Sequence, residues 1–149
     1  MSSEETPLKV LVTGGTGFVG RHLVAALDRT LAEGSEIVVG TSRPDTGWRD
    51  GDPAGAAFPS GRVPVRLAGM DVTDAAQVSA VVRAEQPTHL VHLAAIAAVT
   101  AATRDPRFAW GVNLDGTLNV ALAVAEECPS CQILFSSSSE VYGASFKAG

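Results

Sequence analysis

Residues 9–20 read Lys9-Val-Leu-Val-Thr-Gly-Gly-Thr-Gly-Phe-Val-Gly20, an apolar stretch that runs directly into a glycine-rich turn. The residues that follow have the apolar spacing of a helix, which predicts a strand, a tight turn and a helix in immediate succession. Both Gly15-x-Gly17-x-x-Gly20 and Gly14-x-x-Gly17-x-x-Gly20 match spacings of the turn that holds a dinucleotide pyrophosphate. We therefore predict a dinucleotide-binding domain.

Each glycine of this turn has a physical task. The first turns the chain off the strand, the second leaves room for a phosphate beside the backbone, and the third lets the helix lie close to the sheet. Free N–H groups at the start of the helix then face the anion, with the helix dipole behind them. The predicted pyrophosphate site comprises Gly14, Thr16, Gly17, Phe18, Val19 and Gly20.

Composition limits the function further. The chain has 149 residues, 46% of them hydrophobic and 18% charged, which is typical of one folded domain. The formal net charge is −5 and the basic residues are scattered, which argues against nucleic acid as a partner. No apolar run approaches the roughly 20 residues of a membrane span. We read residues 1–7 as a disordered lead-in, residues 8–149 as the domain, and the location as cytoplasmic because the N-terminus is acidic and polar.

Strand and helix patterns alternate along the chain. This alternation predicts an α/β fold with a doubly wound parallel sheet of Rossmann type, strand order 3-2-1-4-5, incomplete at its C-terminal side. The expected strands are 8–13, 36–40, 63–70, 88–95 and 132–137; the expected helices are 17–32, 74–85 and 106–127; and 41–62 is expected to be a loop.

Two strand ends favour contacts with the adenosine half of a coenzyme. Thr41-Ser42-Arg43 has no acid for a ribose hydroxyl, and Ser42 with Arg43 suits a 2′-phosphate, which favours NADP over NAD. The alternative is an arginine that is merely solvated in a loop. Asp71 could accept a hydrogen bond from the adenine amino group, with Val72 against the ring; alternatively, Asp71 only helps to start the next helix.

Two further strand ends face the same predicted cleft. Leu93, Ala94 and Ala95 are small or apolar and suit close approach of a coenzyme, or simply a packed strand end. Residues 136–143 read Ser-Ser-Ser-Ser-Glu-Val-Tyr-Gly after what we take to be a buried strand, where such polarity needs partners or a cleft. A serine there, Ser136 included, could contact a ligand, and Glu140 could be a general base. Cys128 and Cys131 have no second ligand pair, so we expect no metal site.

Five segments in this order (13–20, 71–72, 92–95, 113–117 and 135–143) resemble the extended short-chain dehydrogenase/reductase family, the NAD(P)-dependent epimerase/dehydratase group acting on nucleotide sugars. The resemblance implies that Ser138 is the catalytic serine, bonded to the sugar 4-oxygen as hydride moves to or from C4. It implies that Asn113 supports the site from a helix and that Glu140 is the base of a 4,6-dehydratase-like pair. Ser-Glu-Val-Tyr also occurs in 4-keto reductases, so epimerase, dehydratase and reductase all stay open.

One departure from the family is plain. The family's Tyr-x-x-x-Lys motif lies beyond the serine motif, and Tyr142 does not replace it, because position 146 is Phe. We therefore expect a truncated chain without turnover of its own, or, as the alternative, a non-catalytic dinucleotide-binding or sensing module. The family commonly dimerises through helices in this region, so a homodimer through the 106–127 helix is also expected.

Overall fold

A computed structural model describes residues 6–42, 61–138 and 141–143 of the chain. Five strands form one parallel sheet in the order β3-β2-β1-β4-β5, which confirms the predicted topology. The strands are β1 (Lys9–Thr13), β2 (Glu36–Thr41), β3 (Val65–Gly69), β4 (His89–His92) and β5 (Gln132–Phe135). Four of them are shorter than predicted, by one to four residues, and β2 is one residue longer, because element boundaries are the least certain part of a sequence prediction.

Helices cover both faces of the sheet. They are α1 (Phe18–Thr30), α2 (Ala75–Glu85), α3 (Val99–Arg104), α4 (Pro106–Trp110) and α5 (Gly116–Glu127), with a π-helical turn, Gly111–Asp115, joining α4 to α5. Because side chains alternate along a strand, Val10 and Val12 of β1 pack with α1, whereas Leu11 packs with α2 and α5. None of the helices in the described ranges has both the length and the apolar character that a bilayer crossing requires.

Two helices begin directly after an aspartate whose side chain caps them. The Asp74 carboxylate accepts hydrogen bonds from the N–H groups of Ala76 and Gln77 at the start of α2. Asp105 accepts one from the Phe108 N–H, and Pro106 occupies the first helical position of α4, where its missing N–H leaves no helical hydrogen bond unmade.

The structure departs from the sequence predictions in three places. Helix α3 was not expected, and the predicted helix 106–127 is interrupted by the π-helical turn. The third departure concerns β5, which was expected to be buried. Its place at the edge of the sheet follows the predicted strand order, but Leu134 and Phe135 are 57% and 41% exposed. Of the predicted loop 41–62, residues 43–60 lie outside the described part of the chain.

Candidate dinucleotide-binding site

The glycine turn after β1 is packed so tightly that side chains are excluded at two of its positions. Gly14 has φ +68°, and a Cβ there would lie 2.7 Å from the Ala94 backbone nitrogen. A Cβ at Gly20 would overlap the Gly14 carbonyl oxygen, so α1 rests directly on the turn. These are the tasks that the sequence assigns to the first and third glycines.

The first turn of α1 presents backbone donors toward the carboxyl ends of the strands. The Gly17 N–H donates to the Gly14 carbonyl at 3.0 Å, and the first helical bond runs from Arg21 N–H to the Gly17 carbonyl. The N–H groups of residues 18–20 therefore lie ahead of the helical bonding pattern, and no side chain from the described part of the chain caps this end of α1. Phe18 and Val19 are 82% and 62% exposed beside it. This end of the helix has the geometry of an anion site.

A first cleft of about 210 Å³ opens beside this turn. Ser42 from the end of β2 and Asp71 and Val72 from the end of β3 line it, together with Gly14 and Thr16. Three strand ends thus meet at one edge of the sheet, as parallel topology requires. Arg43, predicted as the partner of Ser42, lies outside the described residues.

Asp71 does not cap the helix that follows it, since Asp74 has that role. One oxygen of the Asp71 carboxylate, Oδ1, accepts hydrogen bonds from the Thr73 N–H at 2.9 Å and the Thr73 hydroxyl at 2.7 Å. In the part of the chain that the structure describes, the other oxygen, Oδ2, has no protein partner. Val72 is buried against Gly116, where a Cβ would lie 2.9 Å from its side chain.

A second cleft, of about 670 Å³, lies on the other side of the segment that follows β4. Ala94 and Ile96 line both clefts, so the backbone after β4 forms a floor that they share. The second cleft brings together most of the remaining predicted residues: Val19, Leu93, Ala94, Ala95, Asn113, Ser136 and Ser138. Glu140 lies outside the described residues, so its predicted place beside Ser138 stays a prediction.

Asn113 connects the π-helical turn to this floor. Its Oδ1 accepts a hydrogen bond from the Ile96 N–H at 2.8 Å, and its Nδ2 donates to the Ile96 carbonyl at 3.2 Å. Although Asn113 is exposed, both polar atoms of its amide are thus occupied by backbone. The contacts fit a residue that supports the site rather than one that reacts.

The sequence indicates His92 only as part of the 92–95 motif. Among the described residues beside the clefts, however, it is the most buried titratable group. It is 4% exposed, with Nδ1 2.7 Å from the Thr13 hydroxyl and Nε2 3.2 Å from the Thr117 hydroxyl. Burial lowers the pKa of His92, which favours the neutral ring. The strand register could have indicated this contact, because Thr13 and His92 are polar residues that end neighbouring parallel strands at the same level.

The environment of Cys131 disfavours a reactive thiolate. Burial, together with the neighbouring Cys128, raises the pKa of the Cys131 thiol to about 11, which suppresses its thiolate form. Across residues 6–42, 61–138 and 141–143, no three His, Cys, Asp or Glu side chains cluster closely enough to hold a metal ion.

The fold and the glycine turn define a doubly wound α/β protein with a site at the carboxyl ends of its strands. The sequence model of the NAD dependent epimerase/dehydratase family matches residues 10–148, and the chain belongs to this family.

Known relatives agree with this assignment. CDP-paratose 2-epimerase of Salmonella typhi is 29% identical over 91% of this chain and 38% of its own length. Thermus thermophilus UDP-glucose 4-epimerase, solved in complex with NAD, is 34% identical (TM-score 0.59; 80% of this chain, 34% of that one). UDP-glucose 4-epimerase from Brucella ovis, also in complex with NAD, is 26% identical (TM-score 0.70; 91% and 37%). The chain spans 31% to 39% of the length of five curated relatives that it matches.

Proposed function

We propose that this chain binds a nicotinamide dinucleotide across its two clefts and is the coenzyme-binding part of an enzyme that modifies a nucleotide sugar. The observation that carries the proposal is the N-terminus of α1, which has no side-chain cap among the described residues and rests on a turn where Gly14 and Gly20 leave no room for a side chain. It lies between two clefts that share one floor. Family membership and the NAD complexes of the two similar epimerases support the same reading.

The proposed binding mode follows the order of the strand ends. The pyrophosphate lies at Gly14, Thr16, Gly17, Phe18, Val19 and Gly20, the adenosine in the first cleft and the nicotinamide half in the second. The second oxygen of Asp71 is available to the adenine amino group, and Val72 supplies apolar contact. Leu93, Ala94 and Ala95 form the floor, and Ser136 lies in the wall of the second cleft.

The bound coenzyme would accept and return a hydride at C4 of the sugar. Ser138 is proposed to bond the sugar 4-oxygen, because the family resemblance assigns it this role and it lines the second cleft. Asn113 is proposed to hold the floor in place through Ile96. Glu140 is proposed as the base, which rests on the family resemblance. The 149 residues contain no Tyr-x-x-x-Lys, so we expect coenzyme binding but no turnover from this chain.

The finer proposal is a preference for NADP. It rests on Ser42 in the wall of the first cleft and on Arg43 directly after it, with no acidic residue at the end of β2. Calorimetry should give tighter binding of NADP than of NAD, and Arg43→Ala should remove most of the difference. Equal affinities in the unsubstituted chain would exclude this preference, and the family's NAD dependence would then describe the chain.

The test of coenzyme binding uses one methyl group. Among the described residues, the Gly14 carbonyl oxygen is the only atom that would lie within 4 Å of a Cβ on Gly17, at 3.2 Å. The φ of Gly17 is −76°, a value that alanine adopts readily. Gly17→Ala should therefore fold while placing a methyl group at the proposed phosphate position. We expect at least about a tenfold loss of NAD(P) affinity by calorimetry, the size of one lost charge-assisted hydrogen bond.

Gly111→Ala is the matched control. Gly111 is helical, and a Cβ there would meet no described atom within 4 Å, so NAD(P) affinity should not change. Binding that is equally strong in both variants would place the pyrophosphate elsewhere. No binding by the unsubstituted chain would end the proposal.

A homodimer through residues 106–127 and a cytoplasmic location are part of this proposal. The dimer is supported by an apolar stripe on the helix at four-residue spacing: Trp110, Leu114, Leu118 and Leu122, each between 46% and 66% exposed. The location is proposed from the family to which the chain belongs.

A further inference from the structure

A chain of hydrogen bonds runs through the buried ring of His92 and ends at the floor shared by the two clefts. On one side, the Thr13 hydroxyl oxygen lies 2.7 Å from His92 Nδ1 and 3.2 Å from the backbone nitrogens of both Leu93 and Ala94. On the other side, the Thr117 hydroxyl oxygen lies 3.2 Å from His92 Nε2 and 2.7 Å from the Asn113 carbonyl.

The partners decide which atom donates each hydrogen bond. A carbonyl can only accept, so the single hydroxyl hydrogen of Thr117 goes to Asn113, and Thr117 must accept from His92 Nε2–H. The two backbone N–H groups use the lone pairs of the Thr13 oxygen, so its hydrogen is directed to His92 Nδ1, which accepts. Only a neutral ring protonated at Nε2 satisfies every contact.

We propose that His92 is a positioning residue, held as the neutral Nε2–H tautomer, which couples Thr117 on α5 to the backbone of Leu93 and Ala94 in the cleft floor. The Ala94 N–H depends most on this arrangement. The Leu93 N–H has a second acceptor, the Thr13 carbonyl at 3.1 Å, whereas the only acceptor that the structure gives Ala94 within the described residues is the Thr13 hydroxyl.

The coupling matters because the floor has little freedom to move. Gly14 packs so closely on Ala94 that a Cβ on Gly14 would lie 2.7 Å from the Ala94 nitrogen. Any shift of the Ala94 amide is therefore passed to the turn that carries the proposed pyrophosphate site. Asn113 holds the next part of the floor through its hydrogen bond with Ile96. Because the Thr117 hydroxyl donates to the Asn113 carbonyl, the contacts of Asn113 and of His92 with the floor belong to one hydrogen-bond network. That a shift of the floor would also change coenzyme affinity rests on the proposed function.

The first experiment is a nitrogen-15 histidine spectrum of the unsubstituted chain at pH 7. His92 should show one protonated nitrogen, Nε2, and one unprotonated nitrogen, Nδ1, with His22 and His89 as internal references. An Nδ1–H ring, a mixture of tautomers or a charged ring at His92 would overturn the proposal, whatever the chain binds.

The second experiment compares Thr117→Val with Thr117→Ser. Valine keeps the shape and removes the acceptor of Nε2–H, whereas serine keeps the hydroxyl. Thr117→Val should shift the amide resonance of Ala94 and weaken NAD(P) binding about tenfold, and Thr117→Ser should preserve both. An Ala94 resonance that is the same in both variants would overturn the coupling.

The two proposals fail in different ways. Absence of NAD(P) binding by the unsubstituted chain contradicts the proposed function alone, because the two spectra still decide the tautomer and the coupling. Unchanged NAD(P) affinity in Thr117→Val, with normal binding by the unsubstituted chain, contradicts the positioning role of His92 and leaves the proposed function intact.

Discussion

At the scale of single residues, glycine is required where backbone meets backbone. Gly14 combines a left-handed conformation, φ +68°, with direct contact to Ala94, so any side chain there is both strained and obstructed. The sequence pattern predicts a glycine here correctly because the left-handed turn is a local requirement, whereas the contact with Ala94 is seen only in the folded chain.

Gly14→Ala should therefore lower the free energy of unfolding by about 2 kcal/mol or more, since it adds positive-φ strain to a steric clash. Gly111→Ala, in open space on a helical segment, should be neutral or should stabilise by up to about 1 kcal/mol. Urea denaturation of the two variants measures both effects. Equal stabilities would mean that the turn tolerates a side chain and that our packing argument is wrong.

Other contacts within the site could not be found from the sequence alone. His92 and Thr117 are 25 positions apart, and their contact depends on how α5 crosses the sheet. Asn113 is exposed on a helix, and no periodicity indicates that its amide reaches back to Ile96. Such partners become visible only when the elements are packed together.

At the scale of elements, the sheet was predictable and the helical region after β4 was not. Alternating apolar strands and capped helices follow local rules, so the strand order is confirmed. Helix α3 was missed because Val99–Arg104 is short and has no buried residue, and hence no apolar stripe to indicate it. The error about β5 arose because an apolar segment indicates a strand without indicating whether another strand or helix covers it.

The exposed stripe on the 106–127 helix leads to a prediction about association. Val112, Val120 and Val124 face the core, whereas Trp110, Leu114, Leu118 and Leu122 remain outside it. We expect a dimer by analytical ultracentrifugation and a monomer for Leu118→Glu, because a charge within an apolar contact lacks a partner. Thr30→Glu, on α1 at the opposite face of the sheet, should remain a dimer. A monomeric unsubstituted chain at every concentration would rule out the interface.

At the scale of the whole molecule, ion pairs connect elements far from the clefts. Arg83 and Ser79 of α2 donate hydrogen bonds to the Glu127 carboxylate at the end of α5, at distances from 2.6 to 2.8 Å. The Arg83 hydrogen bonds and then the Ser79 hydroxyl lower the pKa of Glu127 from 4.5 to about 2. Arg66 likewise lowers the pKa values of Glu36 and Glu85 where β2, β3 and α2 meet.

These shifts predict the direction of acid sensitivity. A carboxyl with a lowered pKa in the folded state stabilises the fold above its unfolded pKa, and this contribution is lost as pH falls through the folded value. Stability should therefore fall between pH 4.5 and pH 2, and Glu127→Gln should make the fall shallower. Urea midpoints across this range measure it, with Glu126→Gln as the control on the same helix. An identical pH dependence in Glu127→Gln and in the unsubstituted chain would contradict the role of this pair.

The proposed function depends on an anion held by the first turn of α1. The most direct measurement is the structure of crystals of this protein that have been soaked with the coenzyme. We predict the pyrophosphate within hydrogen-bonding distance of the backbone N–H groups of Phe18 and Val19, with adenine beside Asp71 and nicotinamide in the larger cleft. A coenzyme bound elsewhere, or a helix N-terminus occupied by a side chain of the protein, would contradict it.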